Sequence, residues 1–347
     1  MQSFTVPACA MPLPEFGTSA AMATVERDQW EWGDHFRLIT TDAMRNHLFR
    51  TRPHYTTALY YPRADHSHLL APNRYMLWAF IVDDMCDDAI SDQDEQTVAG
   101  LTSELIGVSR GEREAACDAS RALVDVLGDL TAGRSPRWRR LLGETNASWI
   151  RTYLTEVRAS RARRVMDFNE YLPHRRLGVD ELMFHHLAEY VHGIELPAAV
   201  RNLPAMRQAR NRSSEWIGLY NDIYSAPKEA AVGYVHNAVL IVREHRSCSL
   251  QEAADIVADV ANRLMVQFEA AVAAVPGQLQ ALPEATPEVI QDVLVVLEGY
   301  RHLVRGNWDY HIDAARYLEA ETYIPQAQGG VGLRPTWSTA DVFRAAD

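Results

Sequence analysis

The stretch Ser249–Val272 decides the fold class, and its sequence is SLQEAADIVADVANRLMVQFEAAV. Ser249 and Glu252 have the spacing of a capping box, in which each side chain bonds to the other residue's backbone N–H at the start of a helix. Apolar residues then recur at steps of three and four, which is the period of an amphipathic helix. The stretch therefore predicts a long helix with one buried face, which Pro276-Gly277 would end.

The same helical period recurs along most of the chain, whereas the alternation typical of strands does not. Further helices are predicted over Pro72–Ala89, Arg113–Leu130, Ala147–Glu170, Val179–Glu195 and Met206–Glu229, and another opens at Thr286-Pro287. Short polar, Pro and Gly links join them, and no change of composition marks a second domain. The predicted fold is an all-α single-domain helical bundle. Residues 1–25 are expected to be irregular, and residues 326–347 to form a flexible tail or lid.

Composition excludes several classes of protein. Lys+Arg total 34 against Asp+Glu 46 in a chain of 347 residues, which gives a net charge of −12. Nucleic-acid binding needs a basic surface, so no nucleic-acid partner is expected. No apolar run reaches the roughly 18 residues that span a bilayer, and the N-terminus lacks the basic and apolar regions of a signal peptide. We expect a cytoplasmic protein without a membrane partner.

The cysteines give no sign of a metal site or a disulfide framework. Cys9, Cys86, Cys117 and Cys248 lie far apart and contain no C-x-x-C pair. Free thiols are expected. His185-His186 has no third soft ligand near it in the sequence, so a core or surface role is favoured over a metal site.

Four aspartates follow an apolar run in the predicted helix Pro72–Ala89. After Leu77–Val82 come Asp83, Asp84, Asp87 and Asp88. Asp83 and Asp87 are four residues apart and therefore share one helical face. Like charges at that spacing repel, and a hard divalent cation such as Mg²⁺ would relieve the repulsion. A solvated acidic helix end is the alternative interpretation.

A second polar stripe lies in the helix Met206–Glu229. Asn221, Ser225 and Glu229 recur every four residues and offer amide, hydroxyl and carboxylate oxygens, all of them suitable Mg²⁺ ligands. An exposed polar face would look similar. Lys228, the only lysine in the sequence, stands beside Glu229. Pro227 removes a helical hydrogen bond and is expected to kink or end the helix there.

These motifs together resemble those of bacterial class I terpene synthases. Residues 83–87, DDMCD, resemble the aspartate-rich motif of that family, and residues 221–229, NDIYSAPKE, resemble its Asn/Ser/Glu motif. Arg175, which lies 46 residues before Asn221, resembles the family's diphosphate-sensing arginine and is preferred to Arg176. Arg316-Tyr317 resembles its C-terminal Arg-Tyr pair. The resemblance spans roughly residues 30 to 320, within a synthase domain of residues 26–325.

The resemblance implies a helical fold in which two metal-binding faces oppose each other at the mouth of an apolar cavity. Three Mg²⁺ ions would bridge the protein and the substrate diphosphate. The implied metal ligands are Asp83, Asp87, Asn221, Ser225 and Glu229. The implied diphosphate-binding residues are Arg175, Lys228, Arg316 and Tyr317. Gly178 is a candidate for a helix break after the sensing arginine.

The implied reaction is the Mg²⁺-dependent ionisation and cyclisation of a linear prenyl diphosphate, with release of diphosphate. Farnesyl diphosphate is the favoured substrate and geranylgeranyl diphosphate follows closely. The oligomeric state is open, and a homodimer is one option. Aromatic rings at the cavity could stabilise a carbocation, although core packing is an equal alternative for each candidate. The candidates are Phe80, Trp216, Tyr220 and Trp308.

Two other functions stay open on the sequence. A chain-elongating prenyl diphosphate synthase would share the bundle and the metal chemistry, but it would need a second aspartate-rich motif in place of the Asn/Ser/Glu stripe, and the sequence contains none. A non-catalytic helical binding protein would explain the amphipathic helices. A binding protein of this kind would not explain why the four motifs occur together and in this order.

Overall fold

The computed structural model describes residues 4–313, except for the side chain of Val232. The predicted Arg316-Tyr317 pair and the predicted tail over residues 326–347 lie outside the described residues. Over residues 4–313 every regular element is helical and no strand occurs, which confirms the all-α fold class.

Fifteen helices occur between residues 4 and 313. The first eight are α1 Met22–His35, α2 Asp42–Thr51, α3 Pro53–Tyr60, α4 His66–Ser91, α5 Glu95–Ser109, α6 Asp118–Thr131, α7 Pro136–Ile150 and α8 Thr152–Arg161. The others are α9 Phe168–Gly178, α10 Glu181–Tyr190, α11 Ala198–Arg201, α12 Pro204–Val232, α13 Ala238–Arg246, α14 Leu250–Leu279 and α15 Pro287–Asp313.

Helix α14 begins with the predicted capping box. Ser249 Oγ accepts a hydrogen bond from the Glu252 backbone N–H, and Glu252 Oε2 accepts one from the Ser249 N–H at 2.8 Å. The predicted apolar face is buried from Val257 to Val272 and packs along α12. The helix passes through Pro276 and ends at Leu279, so the predicted end at Pro276 is wrong by one turn. These contacts fix the position of α12, which carries the polar stripe.

Two other predicted boundaries are corrected. The helix predicted over Ala147–Glu170 is broken, because α7 ends at Ile150, α8 covers Thr152–Arg161 and α9 starts at Phe168. Helix α12 does not end at Pro227 but continues to Val232, where Gly233 takes the left-handed conformation with φ 77°. A proline missing one N–H bond is tolerated here because the helix is packed on α14 along its length.

Residues 4–21 form no α-helix and run along α14, and α1 already begins at Met22, within the segment 1–25 that was expected to be irregular. The backbone N–H of Thr5 donates to Gln251 Oε1 at 2.8 Å, and that of Ala10 donates to Asn262 Oδ1 at 2.6 Å. All four cysteines are free thiols. None of the described helices combines the length and apolarity that crossing a membrane would require.

Candidate active site

A cavity opens between helices α3, α4, α7, α9, α10, α12 and α15. Its space, counted out to the solvent at its mouth, is about 690 Å³. Apolar side chains such as Met76, Ala79 and Ile217 form part of its lining. Asp83, Arg175 and Asn221 line it as well. The fold thus brings the acidic motif, the predicted sensing arginine and the start of the polar stripe to one space, although they are far apart in sequence.

The acidic motif occupies the last turns of α4. The Tyr153 hydroxyl donates to Asp83 Oδ1 at 2.7 Å, and His47 Nε2 lies 2.9 Å from Asp84 Oδ2. Burial raises the pKa of Asp87 well above its usual range, and the neighbouring charges of Asp83 and then Glu156 raise it further. Carboxyl groups are therefore crowded here, and each disfavours ionisation of the next.

Glu156 belongs to this acidic region, although no sequence motif contains it. Its Oε1 lies 2.7 Å from His174 Nε2, and its Oε2 accepts from the Tyr234 hydroxyl at 2.9 Å. Burial raises the pKa of Glu156, but the bond to His174 and the nearby His236 outweigh it and the net pKa is lowered. Glu156 is thus a charged and already paired carboxylate, unlike Asp87.

Asn221 is held by a residue on each side of its amide. Arg175 Nη2 donates to Asn221 Oδ1 at 2.8 Å, and Asn221 Nδ2 lies 3.2 Å from His311 Nε2. His311 Nδ1 lies 2.8 Å from the Asn307 carbonyl oxygen, which can only accept, so Nδ1 carries the ring proton and Nε2 accepts from Asn221. His311 thus fixes the orientation of the amide, a role that the sequence did not reveal.

Ser225 and Glu229 are joined by a third residue that the sequence did not indicate. Asn237, the N-cap of α13, donates through Nδ2 to Ser225 Oγ at 3.2 Å and to Glu229 Oε2 at 2.9 Å. Glu229 therefore keeps its place on the stripe beyond Pro227. Burial raises the pKa of Glu229, and the charge of Asp222 adds to this effect.

Arg175, and not Arg176, faces the cavity. Arg175 Nη2 lies 3.0 Å from Asp222 Oδ1. Arg176 instead binds Glu215, to which its Nε donates at 2.8 Å. Gly218 on α12 makes room for the arginine, because a Cβ there would lie 2.9 Å from Arg175 Cγ.

The helix that carries Arg175 ends at Gly178, the residue proposed from the sequence for a helix break. Helix α9 ends at Gly178, and α10 starts at Glu181 after Asp180, which has a left-handed φ of 55°. Residues 178–181 all line the cavity. The break therefore turns backbone and two carboxyl side chains toward the enclosed space.

The aromatic candidates divide into two groups. Phe80 lines the cavity, whereas Trp216, Tyr220 and Trp308 stack on one another away from its lining. Tyr220 lies 4.9 Å from each tryptophan ring, at interplanar angles of 15° and 11°. These three rings therefore take part in core packing and do not face the cavity. The other lining aromatics were not selected from the sequence: Tyr60, Trp149, Phe184 and Tyr310.

His185 and Lys228 complete the set of sequence candidates. His185 is buried, with Nδ1 2.7 Å from the Glu181 carbonyl and Nε2 2.6 Å from Ser213 Oγ, so of the two roles favoured for it, core and surface, it has the core role. Lys228 is half-exposed near the end of α12, next to Glu229.

The donor set suits Mg²⁺ in chemistry. Asp83, Asp87, Asn221, Ser225 and Glu229 offer only oxygen ligands, as a hard cation requires. Within residues 4–313, no three His, Cys, Asp or Glu side chains lie close enough to hold an ion by themselves. Ions here would therefore take further ligands from Asn, Ser, water or a bound anion. Such ions would relieve the repulsion among the carboxyl groups of Asp83, Asp87 and Glu156.

Comparison with known proteins gives consistent matches. A family model described as terpene synthase family 2, C-terminal metal binding, matches residues 74–267. The (2Z,6E)-hedycaryol synthase of Kitasatospora setae is 32% identical over 74% of this chain and 76% of its own length. The (+)-T-muurolol synthase ((2E,6E)-farnesyl diphosphate cyclizing) of Roseiflexus castenholzii is 27% identical over 84% of this chain and 88% of its own. A solved structure of hedycaryol synthase in complex with HEPES superposes with a TM-score of 0.79 at 25% identity, covering 90% of this chain and 100% of that one.

Proposed function

The chain belongs to the bacterial class I terpene synthases, which cyclise prenyl diphosphates, and on that premise we propose that it converts farnesyl diphosphate to a cyclic sesquiterpene in a Mg²⁺-dependent reaction. The (+)-T-muurolol synthase of Roseiflexus castenholzii cyclises (2E,6E)-farnesyl diphosphate, and this relative supports the choice of substrate. Family membership removes the alternatives of a prenyl diphosphate synthase and a non-catalytic binding protein.

One observation carries the proposal: Asp83, Arg175 and Asn221 line the same enclosed space. A prenyl diphosphate needs an apolar chamber for its chain and a charged mouth for its diphosphate. The lining of this cavity supplies the first through Met76 and Ile217, and the acidic region with Arg175 supplies the second.

Asp83, Asp87, Asn221, Ser225 and Glu229 are the residues that would hold Mg²⁺. Bound Mg²⁺ ions, three by family resemblance, would neutralise the negative charge that grows on the leaving diphosphate. Tyr153 supports this assignment, because its hydroxyl keeps the Asp83 carboxylate in one orientation.

Arg175 is the proposed donor to the diphosphate, together with Lys228, Arg316 and Tyr317. A fixed guanidinium stabilises the developing anion better than water can, because no solvent has to reorganise during the reaction. The C–O bond breaks with its electron pair leaving on the diphosphate, and an allylic cation stays in the cavity. Tyr60, Phe80 and Phe184 line that space and present ring electrons that stabilise a cation.

The experiment is incubation of the purified protein with geranyl, farnesyl and geranylgeranyl diphosphate, each with Mg²⁺ and each with a chelator. Diphosphate release and solvent-extractable products are measured together. The expected result is Mg²⁺-dependent release with the highest kcat/KM for farnesyl diphosphate. A higher kcat/KM for the geranylgeranyl substrate would overturn the choice of chain length. Absence of diphosphate release from all three would overturn the proposed function.

A further inference from the structure

Four buried polar residues on one side of the cavity each keep an oxygen without a hydrogen-bond partner in the described structure. These atoms are Thr56 Oγ1, Asp180 Oδ1, Glu181 Oε1 and Asn307 Oδ1. All four residues line the cavity, and none is more than 6% exposed. We call them the polar wall. Buried oxygens of this kind are nearly always satisfied by protein or by ordered water, so the wall requires an explanation.

The wall is continuous across three helices. Asn307 on α15 donates through Nδ2 to the Tyr60 hydroxyl oxygen at 3.0 Å, and Tyr60 on α3 donates to Glu181 Oε2 on α10 at 3.3 Å. Thr56 lies one turn before Tyr60 on α3. These bonds use the other polar atoms of Asn307 and Glu181. They therefore leave Asn307 Oδ1 and Glu181 Oε1 without a partner among the described residues.

A chain of hydrogen bonds shows that Asp180 is protonated. The Ser109 hydroxyl uses its hydrogen to donate to the Leu105 carbonyl oxygen. Its oxygen therefore accepts a hydrogen bond from Asn146 Nδ2 at 2.7 Å. Because the Asn146 amide nitrogen points to Ser109, the amide oxygen points to Tyr75. The Tyr75 hydroxyl lies 2.7 Å from both Asn146 Oδ1 and Asp180 Oδ2 but carries a single hydrogen. That hydrogen goes to the amide oxygen, which can only accept, so Asp180 Oδ2 supplies the proton of the second bond.

The two carboxyl groups of the wall, those of Asp180 and Glu181, therefore differ in their hydrogen bonds: Asp180 donates to Tyr75, whereas Glu181 accepts from Tyr60. Burial raises the pKa of Asp180 well above its usual range, in agreement with its protonated state. Burial also raises the pKa of Glu181 well above its usual range, and the hydrogen bond from the Tyr60 hydroxyl only partly offsets this rise. Two neighbouring buried carboxyl groups do not ionise together, so Glu181 is the member that is left to act as a base.

Three of the four free atoms, those of Asp180, Glu181 and Asn307, can only accept hydrogen bonds. A hydrocarbon chain offers them no donor, and a diphosphate would be repelled. A water molecule fits, because it can donate both hydrogens to the wall and direct its lone pairs into the cavity. We propose that the polar wall binds a water molecule that captures the carbocation, so that the principal product of this enzyme is a terpene alcohol.

The chemical step balances and rests on the proposed cyclisation. A lone pair of the bound water forms a C–O bond to the cationic carbon, and this gives a protonated alcohol. That oxonium group releases one proton to Glu181 Oε1, and its O–H bonding pair returns to oxygen. The other hydrogen remains in the hydroxyl group of the product. The oxygen of the alcohol therefore comes from solvent and not from the diphosphate.

The first experiment runs the reaction with farnesyl diphosphate and Mg²⁺ in water enriched in oxygen-18, and diphosphate release is measured in the same samples. We expect a cyclic alcohol whose molecular ion carries the heavy oxygen. An unlabelled hydrocarbon as principal product, with diphosphate release intact, overturns the water site and leaves the proposed function standing. No diphosphate release overturns the proposed function, and this inference falls with it.

The second experiment changes the wall. Thr56→Val and Glu181→Gln are each expected to lower the alcohol-to-hydrocarbon ratio about tenfold, the ratio that corresponds to one lost hydrogen bond or proton acceptor. Thr102→Val is the matched control for Thr56→Val, because Thr102 is equally buried but its hydroxyl donates to the Val98 carbonyl, on α5. Ratios unchanged in both wall variants would overturn the proposal.

A crystal structure of the protein gives a readout that does not depend on turnover. Water density is expected within hydrogen-bonding range, roughly 2.7–3.2 Å, of Asp180 Oδ1 and Glu181 Oε1. Glu181→Leu should abolish that density. A well-ordered wild-type wall without water density would contradict the site.

Discussion

Arg175 Nη2 donates a 2.8 Å hydrogen bond to Asn221 Oδ1, the same oxygen that the proposed mechanism assigns to a metal ion. The predicted diphosphate sensor and the first residue of the predicted metal stripe are therefore in direct contact. Occupation of Asn221 Oδ1 by a cation would displace the guanidinium toward the incoming diphosphate. We therefore expect metal binding at Asn221 and movement of Arg175 to be coupled.

Arg175→Lys should lower kcat for diphosphate release by about 100-fold, because an ammonium group cannot reproduce the fixed donors of the guanidinium. Lysine keeps a positive charge beside buried Asp222, so the thermal unfolding midpoint should change little. Arg176→Lys is the matched control, since Arg176 binds Glu215 outside the cavity lining. Equal losses of kcat in the two variants would contradict the assignment of Arg175.

Asp83→Asn should lower turnover by at least about 100-fold, because a neutral amide binds a hard cation weakly. The fold should persist, since the amide oxygen can still accept from the Tyr153 hydroxyl. Asp92→Asn, at an exposed position after the same helix, serves as the control. Steady-state diphosphate release and circular dichroism check the two expectations. Wild-type turnover in Asp83→Asn would refute the metal assignment.

His311→Phe should raise the Mg²⁺ concentration needed for half-maximal activity, because His311 orients the Asn221 amide and does not itself face the diphosphate in this proposal. An increase of about tenfold corresponds to one lost hydrogen bond. His311→Gln retains an acceptor and should recover part of the loss. A fall in kcat at every Mg²⁺ concentration, with an unchanged half-maximal concentration, would argue against a positioning role.

Asp180→Asn should become progressively more stable than the wild type as the pH rises. The raised pKa of Asp180 means that the folded state keeps its proton after the unfolded state has lost it, so wild-type stability falls with pH until the folded carboxyl also titrates. The difference should grow by up to about 1.4 kcal/mol per pH unit in that window. Urea unfolding at several pH values measures it, and a difference independent of pH would show that Asp180 is not protonated.

Lys228→Arg tests what the single lysine contributes. If charge alone is needed at the diphosphate, arginine should retain turnover within about twofold of the wild type, since both side chains are cations. Lys228→Gln removes the charge and should raise KM for the diphosphate substrate. Unchanged KM in Lys228→Gln would remove Lys228 from the diphosphate-binding set.

The parts of the fold that could be predicted from sequence are those with a strong local pattern. The Ser249–Glu252 capping box and the apolar stripe of α14 were predicted because adjacent turns specify them. The sequence could not predict that α12 continues through Pro227 and α14 through Pro276. Long-range packing there outweighs a local proline penalty of about 3 kcal/mol. Ile290 and Leu294 follow the apolar period of α15 and are nevertheless exposed.

The residues of the candidate site likewise fall into those that the sequence predicts and those that only the fold reveals. Asp83 and Asn221 were selected because each lies in a spaced motif. Glu156, Asn237 and His311 are single polar residues without a motif, and only the folded chain brings them to the others. The polar wall was missed for the same reason, because its members lie on α3, α10 and α15 and in the break before α10, and no sequence period relates them.

The close contact between Gly218 and Arg175 limits which substitutions this enzyme can accept during evolution. Any larger side chain at this position of α12 must push Arg175 aside, and Arg175 is bound to both Asn221 and buried Asp222, so we expect a substitution to lower turnover. Screens that select only for expression or heat resistance would not register that loss of turnover. Libraries built to alter the product spectrum should keep residue 218 fixed and vary the cavity lining elsewhere.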